Sequence, residues 1–298
     1  MTVRPAEHET VTVLEDSRRW AHIDRRPDDI VISTPPKSGT TWMQGIVTAL
    51  LWPDDDAPGA FSELSPWVDA RLPPIAEVAA RVEAQPHRRF FKTHTSAGAL
   101  PIDTEGKYIV VYRDGRDALI SWSNHRSVMR PEIVRMLNDE AANDGVDPWP
   151  LVWSGDMDEL FDEWAGPCSP TRHLAGWWPS RDEPFVLFVH YADLTADLEG
   201  EMRRIAAFLD LDVAEDRWPA VVDRCLLDSM RTEAAEAGGH DIVFEGGAEA
   251  FFHQGGSGRW EGVLTDEQLA RYADMVAELP AEAAAWLEHG SVALGRRP

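Results

Sequence analysis

The run Asp29-Ile30-Val31-Ile32-Ser33-Thr34 gives way to Pro35-Pro36-Lys37-Ser38-Gly39-Thr40-Thr41, and then to an apolar stretch from Trp42 to Trp52. β-Branched residues, then a turn bearing Pro and Gly, then a long apolar segment read as strand, tight loop and helix. The pattern recurs. Lys107-Tyr108-Ile109-Val110-Val111-Tyr112 is nearly all apolar, as strands buried on both faces are, and it runs through Arg113-Asp114-Gly115-Arg116-Asp117 into a helix expected over Ala118 to Val128. Phe185-Val186-Leu187-Phe188-Val189 is another buried-type strand, and Leu198 to Leu209 repeats apolar residues at helical spacing. A further strand is expected at Arg89 to Thr93, ending at His94. Strands that alternate with helices imply right-handed crossovers and a parallel sheet.

The length, 298 residues, suits one large α/β unit, with no internal repeat and no linker that forces a cut. We therefore expect a single domain over residues 1–298, with lid or acceptor segments at 53–88, 130–170 and 235–260. The first of these is rich in Pro, Asp and Ala around a short helix at Ile75 to Glu83. The second carries Trp149, Trp153 and Trp164, and the third includes the glycine-rich stretch from Gly246. Thr265 and Gln268 have capping-box spacing and open a final helix.

Charge narrows the function. Lys plus Arg number 28 and Asp plus Glu 52, so the net charge of −24 repels nucleic-acid phosphates and anionic lipid head groups. An anionic ligand then needs a locally basic pocket. No apolar run approaches the ~20 residues of a membrane span, and the first residues lack the apolar stretch of a secretory signal, so a cytoplasmic protein is expected. Cys168 and Cys225 show no CxxC spacing, which argues for packing in a reducing compartment rather than for a disulfide framework or zinc.

A strand, a glycine-bearing loop and a helix hold phosphate well, because backbone N–H groups and the positive helix end converge on one spot. The segment Thr34 to Trp42 has that form, yet it is not a Walker A loop: Lys37 precedes Gly39 instead of following the last glycine. A plain turn with an exposed lysine fits the loop alone equally well. His94 lies just past a strand, where open α/β sheets place their ligands, with Lys92 two residues back on the same face. Arg113 ends the next strand in the same position, and Ser121 lies about two helical turns further on, a reasonable second anion site. Surface ion pairs of Arg113 with Asp117 or Arg116 with Asp114 are the plainer alternative.

These hints meet in one family. The run Thr34 to Trp42 closely resembles the 5′-phosphosulfate loop of cytosolic-type sulfotransferases, which use 3′-phosphoadenosine 5′-phosphosulfate (PAPS). Phe91-Lys92-Thr93-His94 resembles the family's strand ending in the catalytic histidine, and Val111 to Asp117 through Ser121 resembles its 3′-phosphate site. His173 to Trp178 followed by Val186 to Leu194 is similar to the segment leading to the adenine-contacting tyrosine, here Tyr191. Gly255-Gly256-Ser257-Gly258-Arg259-Trp260 resembles the loop that closes over the 3′-phosphate. The ordered blocks span residues 30–265, and a set of motifs in the right order is far more specific than any one of them.

The resemblance implies an α/β, P-loop-like three-layer fold with a central parallel β-sheet flanked by helices. It implies sulfuryl transfer from PAPS to a hydroxyl of a small molecule, such as a phenol, alcohol, lipid or secondary metabolite, by in-line displacement and without a metal. His94 is then the general base, with Lys37 and Lys92 stabilising charge. Pro36, Lys37, Ser38, Gly39, Thr40 and Thr41 form the donor loop, Trp42 and Tyr191 border the adenine, and Arg113 and Ser121 grip the 3′-phosphate. The closing loop departs from the family: His253-Gln254-Gly255 stands where Arg-Lys-Gly is usual, which removes two cations, and Arg259 stands where an acid is common. Thirteen tryptophans, Trp67, Trp122, Trp149 and Trp153 among them, suit either an aromatic acceptor pocket or a core. A homodimer is compatible with all of this. Two rivals remain, an ATP- or GTP-dependent phosphotransferase and a non-catalytic module that binds adenosine 3′,5′-bisphosphate (PAP).

Overall fold

The computed structural model describes residues 3–166, 169–252 and 255–295. Its strands are β1 (Val3–Arg4), β2 (Ile30–Ser33), β3 (Phe90–Thr93), β4 (Ile102–Asp103), β5 (Lys107–Tyr112) and β6 (Val186–His190). The central sheet has the order β3-β2-β5-β6 with every pairing parallel, while β1 and β4 form a small antiparallel pair. Ile30 pairs with both Phe90 and Lys107, and Ser33 with both Thr93 and Val110. The chain therefore steps from β2 to one side and then crosses back, so a crevice opens where the C-terminal ends of β2 and β5 diverge. Open α/β sheets bind ligands at that reversal.

Alternate side chains of each strand enter different cores, which is why the strands read as unbroken apolar runs. Ile30, Ile32, Ile109 and Val111 pack against Met43, Ile46 and Leu50 of helix α1 (Thr40–Leu51). Val31, Phe91, Tyr108 and Val110 pack on the other face with Trp122, Trp164 and Trp177. Trp122 and Trp164 are thus core residues, at 2% and 0% exposure. The start of the sheet is tied by a fully buried, two-pronged ion pair, Arg89 Nε to Asp29 Oδ1 at 2.8 Å and Nη2 to Oδ2 at 2.7 Å.

Boundaries shift where side chains cap helices. The helix after β5 begins at Gly115 rather than Ala118, because Asp114 Oδ1 accepts from the Arg116 N–H at 2.9 Å. β6 runs on to His190, whose Nδ1 accepts from the Ala192 N–H at 3.2 Å and starts the helix Tyr191–Ala196. The capping box of Thr265 and Gln268 is formed at the helix Asp266–Ala277. Segment 53–88 holds the helices Phe61–Leu64 and Ile75–Glu83, and segment 130–170 holds Pro131–Ala142 and Met157–Ala165.

Ile109 is fully buried in the middle strand β5. Ile109→Ala should lower unfolding stability by about 2–5 kcal/mol, seen as a lower urea midpoint with an unchanged slope.

Candidate active site

Lys37, Lys92, His94, Arg113 and Tyr191 lie at or just beyond the C-terminal ends of β2, β3, β5 and β6. Past β2, Thr34 Oγ1 meets Thr40 Oγ1 at 2.5 Å and so pins the two ends of the loop together. Inside it, Lys37 takes φ 66° and Gly39 φ 107°, and only the second is a residue that adopts such angles cheaply. The left-handed Lys37 is a strained position held by its surroundings, a trait of ligand-binding loops. No side chain caps α1, so the first-turn N–H groups remain open to an anion. Pro36 is buried in the loop wall, and Thr41 is half-buried in the first turn of α1.

The Lys37 ammonium lies 3.5 Å from His125 Nδ1 and 4.4 Å from the centroid of the Phe251 ring. Burial first, and then the charges of Lys92, Arg113 and Arg259, push its pKa down to about 7. Lys92 lies over the Trp67 ring at 4.4 Å, and burial brings it down to about 8 against the pull of Asp69.

His94 Nδ1 is 2.8 Å from the carbonyl oxygen of Thr34, so that nitrogen carries the proton and donates it. Nε2 is then the lone-pair nitrogen, with no hydrogen-bond partner among the described residues. Burial, followed by the charge of Lys92, holds the imidazole well below its usual pKa, which keeps it neutral and basic-faced near pH 7. The buried carboxylate of Asp69 grips the chain on both sides of this histidine. Its Oδ2 accepts from the hydroxyls of Thr93 and Thr95, the latter at 2.8 Å, and from Trp20 Nε1 at 2.9 Å. A second buried imidazole braces the floor: His173 takes the Tyr112 hydroxyl at Nδ1 (2.6 Å), and its Nε2 lies 3.0 Å from Ser33 Oγ. Burial drives His173 down to about 3, so it is neutral and structural.

Past β5, Arg113 is 5% exposed; its guanidinium lies 4.6 Å from the centre of the Tyr191 ring, and Nη2 donates to the carbonyl of Gly256 at 2.5 Å. Burial lowers its pKa. Asp117, expected as an Arg113 partner, instead accepts from the N–H groups of Gly258 and Arg259 at 2.9 and 2.8 Å and ties the glycine loop to the helix Gly115–Val128. Arg116 does pair with Asp114, at 2.7 Å. Trp42 meets Tyr191 edge-on at 5.1 Å and donates from Nε1 to the Cys225 carbonyl at 2.8 Å. Gly255 reaches the same place: a Cβ there would lie 3.4 Å from the Tyr191 hydroxyl. Ser121 is half-buried on the helix Gly115–Val128. His253 and Gln254, like Cys168, lie outside the described residues.

Among the buried polar atoms with no partner among the described residues are two donors in the loops that follow β2 and β5, Ser38 Oγ and Arg113 Nε. A buried donor left unmade costs about 1–3 kcal/mol, so both call for a ligand oxygen. One lies in the loop after β2 and the other after β5, which suits a ligand with two separated anionic groups. Arg259 is half-buried rather than solvent-facing, and its charge is felt at Lys37 and Arg113.

Inference from sequence missed His125, Phe251 and Asp69. His125 stands four residues beyond Ser121 on one helix, so face periodicity could have found it. Nothing around Asp69 in the sequence signals its role.

The sulfotransferase domain family matches residues 27–284. A glycolipid sulfotransferase of Mycobacterium tuberculosis is 35% identical over 306 residues, covering 94% of this chain and 93% of the relative. Human sulfotransferase 1C2 is 24% identical over 267 residues, covering 86% of this chain and 85% of its own. A mouse sulfotransferase complexed with PAP shares the fold at TM-score 0.66 and 19% identity, covering 88% and 87% of the two chains. Retinol dehydratase in complex with androsterone and PAP does so at TM-score 0.67 and 18% identity, covering 89% and 85%. The chain belongs to the sulfotransferase family. It is a PAPS-dependent enzyme that transfers a sulfuryl group to a hydroxyl acceptor.

A lysine half-protonated near pH 7 in the free protein is driven to full charge by a bound phosphate. PAP binding above pH 7 should therefore take up a proton and weaken as pH rises. Calorimetry at about pH 8, in buffers of different ionisation enthalpy, should show uptake approaching one proton per PAP, most of it lost in Lys37→Ala.

Proposed function

We propose that His94 is the general base, that Lys37 and Lys92 stabilise the departing charge, and that the loops after β2 and β5 hold the two ends of PAPS. The observation that carries this reading is that Lys37 lies within range of the charges of Lys92, Arg113 and His94 at the strand ends, where the imidazole keeps a free Nε2 and Ser38 Oγ and Arg113 Nε lack partners among the described residues. His94 Nε2 takes the proton of the acceptor hydroxyl as its oxygen bonds to sulfur. The sulfur–oxygen bond to the 5′-phosphate breaks in line, and the negative charge left on that oxygen is met by the Lys37 ammonium and the N–H groups of Ser38, Gly39, Thr40 and Thr41. Arg113 and Ser121 take the 3′-phosphate. Arg259 supplies a cation near a site whose usual Arg-Lys pair is His253-Gln254 in this chain. Trp42, Tyr191 and Gly255 flank the adenine.

The Thr34 carbonyl sets the productive tautomer, and Asp69 fixes the strand end that carries the base. One domain serves both donor and acceptor. The acceptor is a small molecule rather than a nucleic acid, in keeping with a net charge of −24, and the glycolipid sulfotransferases among the relatives favour a hydroxyl on an amphiphile bearing sugar. The buried, free thiol of Cys225, which burial pushes up to about 12, favours a reducing, cytoplasmic setting.

His94→Ala should nearly abolish turnover while PAP still binds; activity within a few-fold of wild type removes the histidine from the chemistry. Lys37→Ala should cut kcat by about 10²-fold or more, whereas weaker donor binding at unchanged kcat would make it a grip residue only.

A further inference from the structure

A cavity of about 310 Å³ opens beside His94. Its wall is the N-terminal segment, to which sequence reading assigned no role. That segment is firmly built: the N–H groups of Glu7 and His8 donate to the Gly98 carbonyl at 2.7 and 3.2 Å, and Arg71 Nε donates to the Thr12 carbonyl at 2.6 Å. Besides His94, the cavity is lined by Thr10, Thr12, Glu15, Ser96 and Arg172, and Val11 is its one aliphatic residue. Pockets that select phenols or sterols are lined mainly by apolar side chains, whereas here every lining side chain but Val11 carries a polar group.

Glu15 is decisive. It is 4% exposed, lines the cavity, and its Oε2 is buried with no hydrogen-bond partner among the described residues. Burial and the neighbouring Asp69 carboxylate raise Glu15 well above the usual carboxyl range, which favours the protonated form, a group that can both donate and accept. A sugar hydroxyl, which also does both, is its natural complement. An anionic acceptor would meet the charge of Glu9, and a plain hydrocarbon would leave Glu15 Oε2 unpaired.

Resting on the sulfotransferase reading above, we propose that this cavity is the acceptor-headgroup subsite, that it takes a neutral polyhydroxylated ring, and that Glu15 anchors one ring hydroxyl while another is presented to His94. The cavity has room for one hexose ring, with the rest of the acceptor lying outside it.

The wild-type chain is given PAPS with alkyl glycosides or with 4-alkylphenols of equal chain length, and transfer is followed by PAP release. A kcat/KM at least about tenfold higher for glycosides is expected. Glycosides that are not sulfated, or that fare no better than the phenols, overturn the inference and leave the sulfotransferase reading standing. Failure of the wild-type chain to bind PAP overturns that reading instead. Glu15→Leu should raise the glycoside KM about tenfold or more with PAP affinity retained, and Glu15→Gln, which keeps a donor and an acceptor, should restore KM to within about threefold. An unchanged glycoside KM in a Glu15→Leu protein that still binds PAP overturns the anchor. If Glu15→Leu does not fold, Arg172→Ala at the exposed rim decides, by a raised or an unchanged glycoside KM.

Discussion

Cations crowd one another where the parallel strands end, and the rest of the site follows from that crowding. Lys37 is half-buried within range of the charges of Lys92, Arg113 and Arg259, although the chain as a whole carries −24. Burial, joined at Lys37 by the charges of these neighbours, brings Lys37 down to about 7, and burial alone brings Lys92 to about 8 against the pull of Asp69. An anion relieves the crowding at once. The cleft is thus an electrostatic trap for phosphate inside an acidic surface that turns other polyanions away.

The sheet holds the cations in place against their repulsion. Because Ser33 pairs with both Thr93 and Val110, the loops that leave β2, β3 and β5 emerge side by side. Beneath them, Ser33 Oγ donates to the Thr95 carbonyl and accepts from Trp177 Nε1, both at 2.9 Å. That network joins β2 to the residue after His94 and to the helix Pro170–Trp177. Beneath the rim, Ser33, His173 and Asp69 Oδ2 are hydrogen-bonded into the frame, whereas Ser38 Oγ and Arg113 Nε at the rim have no partner among the described residues. Rigid support under unsatisfied donors is the form a preorganised site takes.

The same division separates what was legible early from what was not. The strands, the loop at Lys37 and the placement of His94 and Arg113 at strand ends were readable because each is local: an apolar run, a glycine turn, a residue just past a strand. His125, Phe251, Asp69 and Glu15 were not, because each matters through a neighbour distant in the chain. His125 lies 88 residues from Lys37, and Asp69 lies 26 residues from Thr95. The start of the helix at Gly115 turned on one side-chain cap, which spacing alone does not reveal.

By itself, then, the sequence determined the layer order, the strand cores and the donor loop, since the periods of two and of 3.6 residues and the conformational freedom of glycine act over a few positions. Tertiary structure alone decided which imidazole faces an open cleft and which is sealed as a brace. His94 and His173 are the same residue type, and only the partners folded against them, the Thr34 carbonyl for one and Tyr112 with Ser33 for the other, give one a free nitrogen and leave the other none.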